Sequence, residues 1–267
     1  MVDDKSLSEE VFCLKFELET LSSLLIKYET ERWVPGFMFD HIEKDHLDRY
    51  NWTLNYVSGK KVMDIACGVG KGSNLIASLG KASHVTAYDL DENAIRYAKH
   101  RNARENIQFA VQNALKLEAE KEYDVVVSFE TIEHIPDVDL FLRKIAASLK
   151  EDGLFIVSTP ISHKSLDDKP DNPFHVQEWG FKSFHEKLGA FLNIQDVYLQ
   201  LYDPIPVQKP VSLFRRVINK VFNTNRPGPH TNKPNTSKIE KYTEQYPIEE
   251  IGTTRKGYQL VVCKKKG

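Results

Sequence analysis

Between Ser6 and Glu29 apolar residues return at spacings of three and four: Leu7, Val11, Leu14, Leu18, Leu21, Leu25 and Tyr28, with Glu and Lys between them. That spacing lays one apolar stripe along a helix, and Ser6 with Glu9 stands at capping-box distance at its start. Pro35-Gly36 closes the region, and a second helix is predicted from Phe39 to Tyr56. From Ser58-Gly59 onward the pattern changes to short apolar runs separated by amphipathic stretches. The runs at Val62–Ile65, His84–Tyr88, Ile107–Val111, Tyr123–Phe129 and Leu154–Ser158 predict strands, the fourth apolar enough in its middle to be central. Ser73–Leu79, Asp91–Arg101 and the stretch marked by Leu140, Ile145 and Leu149 predict helices between them. Strands alternating with helices specify an α/β fold whose parallel sheet is covered on both faces. A sixth strand, Asn193–Leu201, and a last one, Gly257–Cys263, stand apart. A Pro- and Asn-rich insertion with one helical stretch, Val211 to Phe222, separates them.

Composition narrows the class. With 41% hydrophobic and 28% charged residues in 267, the chain has the make-up of a soluble globular protein. A net charge of -2 argues against a general nucleic-acid coat. Cys13, Cys67 and Cys263 are far apart and odd in number, which gives neither a disulfide framework nor a zinc spacing. An acidic start, Met1-Val2-Asp3-Asp4-Lys5, does not resemble a signal peptide, and no apolar run reaches transmembrane length. A cytoplasmic protein is expected.

The chemistry starts where the first strand ends. In Met63-Asp64-Ile65-Ala66-Cys67-Gly68-Val69-Gly70-Lys71-Gly72-Ser73 side-chain bulk falls away just after the apolar run. A strand, a glycine turn and a helix N-terminus form a cradle for a nucleotide-type ligand. A dinucleotide fingerprint would place its third glycine at Ser73, and Gly72 is out of phase with it. Asp64 inside the strand and Asp89 closing the second strand are the discriminating residues.

With those acids in place, the sequence resembles the class I S-adenosylmethionine-dependent methyltransferases. Their first motif is matched by Asp64-Ile65-Ala66-Cys67-Gly68-Val69-Gly70, and their second-strand acid by Asp89 in Tyr88-Asp89-Leu90. The third-strand position, usually Asp followed by a small residue, is Asn113-Ala114 here. The fourth motif is Tyr123 to Glu130, and the resemblance runs from about residue 31 to 202 and returns in the last strand. It implies a Rossmann-like, doubly wound, seven-stranded sheet with an antiparallel last strand, and S-adenosyl-L-methionine as cofactor. By the same resemblance Asp64, Ala66, Gly68, Gly70, Asp89, Leu90, Asn113, Ala114 and Phe129 would line the cofactor site. Asp89 would accept the ribose hydroxyls, Leu90 would cover the adenine and Asn113 would bond its exocyclic amine.

Catalytic candidates stand at the carboxyl edge of the sheet. Glu130, Glu133 and His134 follow the fourth strand. Their spacing is similar to that of metal-dependent small-RNA methyltransferases and ubiquinone-pathway O-methyltransferases. That resemblance makes the three candidate ligands of Mg or Mn, although Ile135 stands where the small-RNA enzymes carry a second histidine. The alternative is that Glu133-His134 only shapes the loop. His163 and His175 follow the fifth strand and are candidate bases or ligands, and Asn172-Pro173-Phe174-His175 resembles a segment of methyltransferases from polysaccharide and glycan biosynthesis. The implied reaction is O-methylation of a sugar, glycan or other small-molecule hydroxyl. RNA or a natural-product scaffold is an alternative acceptor, and a non-catalytic cofactor-binding module an alternative role.

From Gln208 to Lys238 the insertion has Lys209, Arg215, Arg216, Lys220, Arg226, Lys233 and Lys238 and no acid. Residues 211–222 read either as a lid helix over the cleft or as a peripheral membrane contact. The expected organisation is an N-terminal helical cap over 1–57, a methyltransferase core over 58–202, a basic lid over 203–256 and the last core strand over 257–267.

Overall fold

The computed structural model describes residues 4–27, 32–162, 169–170, 172–202, 238–243 and 256–266. Two helices open the chain, α1 (Asp4–Lys27) and α2 (Asp40–Val57). The alternating part follows: β1 (Lys61–Ile65), α3 (Lys71–Ser78), β2 (His84–Asp89), α4 (Glu92–Arg101), β3 (Ile107–Val111), β4 (Tyr123–Phe129), α5 (Val138–Ser148), β5 (Leu149–Pro160), α6 (Phe181–Phe191) and β6 (Leu192–Leu201). Two further strands, β7 (Lys238–Lys241) and β8 (Gly257–Lys265), complete the described residues.

The strands form one eight-stranded sheet in the order β3-β2-β1-β4-β5-β8-β6-β7. β1 to β5 are parallel. β8 runs antiparallel between β5 and β6. The expected reversed last strand is therefore present, and the sheet has one strand more than expected. β7 extends the edge by pairing antiparallel to β6, from Leu201↔Lys238 to Tyr198↔Lys241. Its four residues, Lys-Ile-Glu-Lys, are mostly exposed. So polar and short a segment gives no apolar run to read, which is how edge strands avoid pairing with other chains.

The sheet divides the core into two layers. On one side Phe141, Leu142 and Ile145 of α5 and Phe184 and Leu188 of α6 pack against Met63, Val126, Phe155 and Val157. On the other, Tyr50 and Val57 of α2, Ile76 of α3 and Ile95 and Ala98 of α4 pack against Val62, Val85, Val125, Val127 and Ile156. Odd- and even-numbered residues of one strand serve opposite layers, as strand geometry requires. The three cysteines are free and buried. Among the described residues no helix is long and apolar enough to cross a membrane. His163, residues 211–222 and all of the proposed lid except 238–243 and Lys256 lie outside the described residues.

Candidate functional site

Parallel order places the ends of β1, β2, β4 and β5 along one edge, with the switch of chain direction between β1 and β4. Open α/β sheets bind ligands at that point. The backbone is strained there. Ala66 just after β1 and Glu130 just after β4 both have positive φ, 61° and 49°. For residues with a Cβ this costs energy and is held in place by the surrounding structure.

On the β1–β2 side Gly68 and Gly70 turn the chain with φ of 56° and 77°, and Gly70 caps α3 in the left-handed conformation. The Gly68 N–H donates to Asp89 Oδ2 at 2.8 Å, and the Asp91 N–H donates to Oδ1 at 3.0 Å. Asp89 is thereby oriented by the backbone while keeping lone pairs for a ligand. Arg32 lies across this turn, with Nη1 2.5 Å from Asp91 Oδ2 and Nη2 4.0 Å from Asp89 Oδ1. Above Gly68 the space is open, since an added Cβ would meet only Arg32 Cγ, 3.8 Å away. Ala66 is exposed, and Leu90 presents an apolar side chain that is 68% exposed. An open backbone turn, an oriented carboxylate and an uncovered apolar side chain fit an adenosine-bearing ligand.

Other expected cofactor residues sit differently. Asp64 is fully buried beneath the turn. It accepts from Ser73 Oγ at 2.6 Å and from the Tyr50 hydroxyl at 3.2 Å. Desolvation outweighs those bonds and pushes its pKa up to about 6. Asp64 therefore ties β1, α3 and α2 together and does not lie on the surface of the cradle. Phe129 is buried too, its ring edge-on to Tyr50 at 5.1 Å. Asn113 caps a short 3₁₀ turn, Ala114–Lys116, accepting from the Leu115 N–H at 2.8 Å; both it and Ala114 are half-buried. Gly72 has its own reason: a Cβ there would run into the Tyr50 ring.

On the β4–β5 side Glu130 accepts from Ser158 Oγ at 2.7 Å, and Glu133 from Thr159 Oγ1 at 3.0 Å. Burial raises the pKa of both carboxyls, and Glu130 raises that of Glu133 further; Arg49 works against the rise. Among the described residues one set of side chains could hold a metal: Glu133, His134 and His175, whose ligand atoms lie within 4.8 Å of one another. Two of the expected trio, Glu133 and His134, are in this set together with His175, itself an expected candidate ligand, and Glu130 is not. The loop 172–178 folds back over the end of β4, with the Val176 and Gln177 N–H groups donating to the Glu133 carbonyl. Two imidazoles and one carboxylate suit Mn, Fe or Zn better than Mg, which takes oxygen ligands.

The loop also orders the His175 ring. Asn172 Oδ1 accepts from the Phe174 N–H at 3.0 Å, so its Nδ2 is the atom facing His175 Nε2, also at 3.0 Å. Nε2 is therefore an acceptor, and Nδ1–H donates to Glu178 Oε1 at 3.1 Å. Ser162 Oγ holds the other Glu178 oxygen at 3.0 Å. The His134 ring meets His175 edge-on at 5.0 Å, and its Nδ1–H donates to the Phe174 carbonyl at 3.0 Å. Arg32, Asn172 and Glu178 lie in segments that the sequence marks by resemblance, but no individual role was expected of them. Arg32 reaches across to Asp89 and Asp91, while Asn172 and Glu178 act on His175 within their own loop, and no motif spacing records these contacts.

Comparison with known proteins agrees with this architecture. A family model described as "Methyltransferase domain" matches residues 57–197, and the chain belongs to that family of methyltransferase domains. A protein of Mycobacterium tuberculosis, named a probable S-adenosylmethionine-dependent methyltransferase, is 33% identical over 162 residues, 60% of this chain and 58% of its own length. The chain thus spans under two thirds of that relative. A ubiquinone biosynthesis O-methyltransferase of Bradyrhizobium diazoefficiens is 32% identical over 109 residues, 40% of this chain and 42% of its own. Among solved structures, a chain of the complex between the Haloferax volcanii activator Trm112 and a candidate methyltransferase covers 85% of this chain and 92% of its own, at a TM-score of 0.56 and 16% identity. That similarity shows the fold.

Proposed function

We propose that the protein transfers a methyl group from S-adenosylmethionine to a hydroxyl of a small molecule, a sugar or glycan among them. The family gives the donor, and the name of the Bradyrhizobium relative, an O-methyltransferase, favours oxygen as the acceptor atom. The observation that carries the reading is the pairing of two half-sites on one sheet edge. Backbone-oriented Asp89 stands beside the open Gly68 turn, and a histidine backed by a carboxylate stands after β5.

The bound donor supplies a methyl on a sulfonium, which leaves as a neutral thioether. Asp89 would hold its ribose hydroxyls, and Leu90 would cover the base. An acceptor hydroxyl that displaces the Asn172 amide meets His175 Nε2, which takes its proton as the new C–O bond forms. Glu178 on Nδ1 stabilises the resulting imidazolium. A divalent ion on Glu133, His134 and His175 would instead lower the acceptor's pKa directly. Burial and Glu130 push the Glu133 carboxyl above the ordinary carboxylate range, so an ion there would compete with a proton for it.

Calorimetry tests the donor half: S-adenosylmethionine and S-adenosylhomocysteine should bind, and Asp89→Ala should remove the binding. Binding of nicotinamide dinucleotides in their place would overturn the assignment. Release of S-adenosylhomocysteine with phenolic, sugar and RNA acceptors identifies the acceptor class. Loss of that activity with chelator, regained with Mn, supports the metal route; activity indifferent to chelator supports His175 as the base.

A further inference from the structure

The apolar stripe on α1 belongs to neither half-site. One face of α1 is fixed to α4: Cys13 is fully buried, Arg96 Nε is 2.8 Å from Glu9, Arg101 Nη1 is 2.7 Å from Glu10, and the Tyr97 hydroxyl donates to Glu17 at 2.7 Å. The opposite face is uncovered. Leu7, Val11, Leu14, Leu18 and Leu25 are 56%, 57%, 48%, 64% and 65% exposed, and Leu21 is half-buried. A contiguous apolar stripe open to water marks an interaction site.

The spacing identifies what fits it. From Leu7 to Leu25 the steps are 4-3-4-3-4, the heptad repeat of a coiled-coil seam, with Leu7, Leu14 and Leu21 at d and Val11, Leu18 and Leu25 at a. This seam is about 27 Å long at 1.5 Å per residue. We propose that α1 pairs with α1 of a second copy of this chain as a parallel, in-register two-stranded coiled coil.

Charge selects both the partner and its direction. Glu10 and Glu17 are at g positions, and Lys15 is exposed at an e position. In a parallel pair the g residue of one helix faces the following e residue of the other, so Glu10, held by Arg101 of its own chain on one side, also comes opposite the partner's Lys15. An antiparallel pair would set g against g, acid against acid. Leu at every d position with Val11 at an a position suits two strands. A membrane is a poor occupant, because Glu10 and Glu17 border the stripe and anionic lipid is bound by helices with a basic polar face.

Sedimentation of the full chain from about 1 to about 100 µM should show a monomer–dimer equilibrium. The double variant Leu14→Glu/Leu18→Glu should weaken it by more than about 100-fold, with helix content and S-adenosylhomocysteine binding unchanged. Leu7→Cys should form a disulfide-linked dimer on mild oxidation, since only the parallel arrangement brings the two residues 7 together. A monomer throughout the range, or a dimer indifferent to the double variant, would overturn the proposal. A dimer that Leu7→Cys fails to cross-link would overturn the parallel register.

Discussion

At the scale of single residues, Asp64 has a structural job that its motif does not announce. The motif implies an acid for the ligand; the fold encloses it, and burial leaves it with a pKa of about 6 against an ordinary value of 3.8. A carboxyl raised in this way binds its proton more tightly when folded. The Asp64 contribution to stability is therefore most favourable below pH 3.8, falls as pH rises from there to about 6, and is flat above. The difference between the limits is on the order of 3 kcal/mol. Asp64→Asn keeps the shape and an acceptor for Ser73 and removes the charge. Urea unfolding at about pH 3.5 and about pH 7.5 should show the variant gaining on the wild type by that order over the interval. An unchanged difference would mean that Asp64 is not desolvated as described. The sequence revealed that an acid belongs here. What it does not record is the distance to Tyr50, fourteen residues earlier, which turns a ligand candidate into a structural tie.

At the scale of elements, legibility followed apolar content. β3 and β4 coincide with their predicted spans because each run is apolar and bounded by polar turns. β5 starts at Leu149, ahead of the predicted Leu154, because Lys-Glu-Asp-Gly carries no apolar signal of its own and lies at the register shift between the Tyr123↔Leu149 and Val125↔Leu154 pairs. β7 was not legible at all. The junction of β6 and β8 depends on one backbone position: Gly257 has φ 154°, and a Cβ there would strike the Gln200 carbonyl. Gly257→Ala must push that strand pair apart at its end, just where the Ile161 N–H donates to the Gly257 carbonyl. An expected cost of about 1–3 kcal/mol in denaturant unfolding follows from such overpacking. Faster amide exchange of Tyr258 and Leu199 should accompany it. A variant as stable as the wild type would show that the strand end yields without cost.

At the scale of the whole molecule, the sheet edge divides into two halves that different segments build. The proposed donor half comes from β1, β2 and the chain entering at Arg32; the proposed acceptor half comes from β4, β5 and the loop 172–178. The first was legible because glycine turns and strand-end acids are local. The second depends on a loop folding back from forty residues downstream to put Phe174 against His134, so the sequence offered Glu130, Glu133, His134 and His175 as candidates without showing which of them the loop brings together. A division of this kind has a kinetic signature. His175→Gln should leave the affinity for S-adenosylhomocysteine within about twofold and lower turnover by about 10²–10⁴, the span of general acid–base catalysis. Glu178→Gln, acting through His175, should lower turnover less and leave KM for the donor unchanged. Asp89→Ala should reverse the pattern, with its loss falling on donor binding. Were His175→Gln to weaken donor binding as strongly as Asp89→Ala, the two halves would be one site and the assignment of the proton to His175 would fall. Turnover unmoved by His175→Gln would instead leave Glu133 and His134 to activate the acceptor.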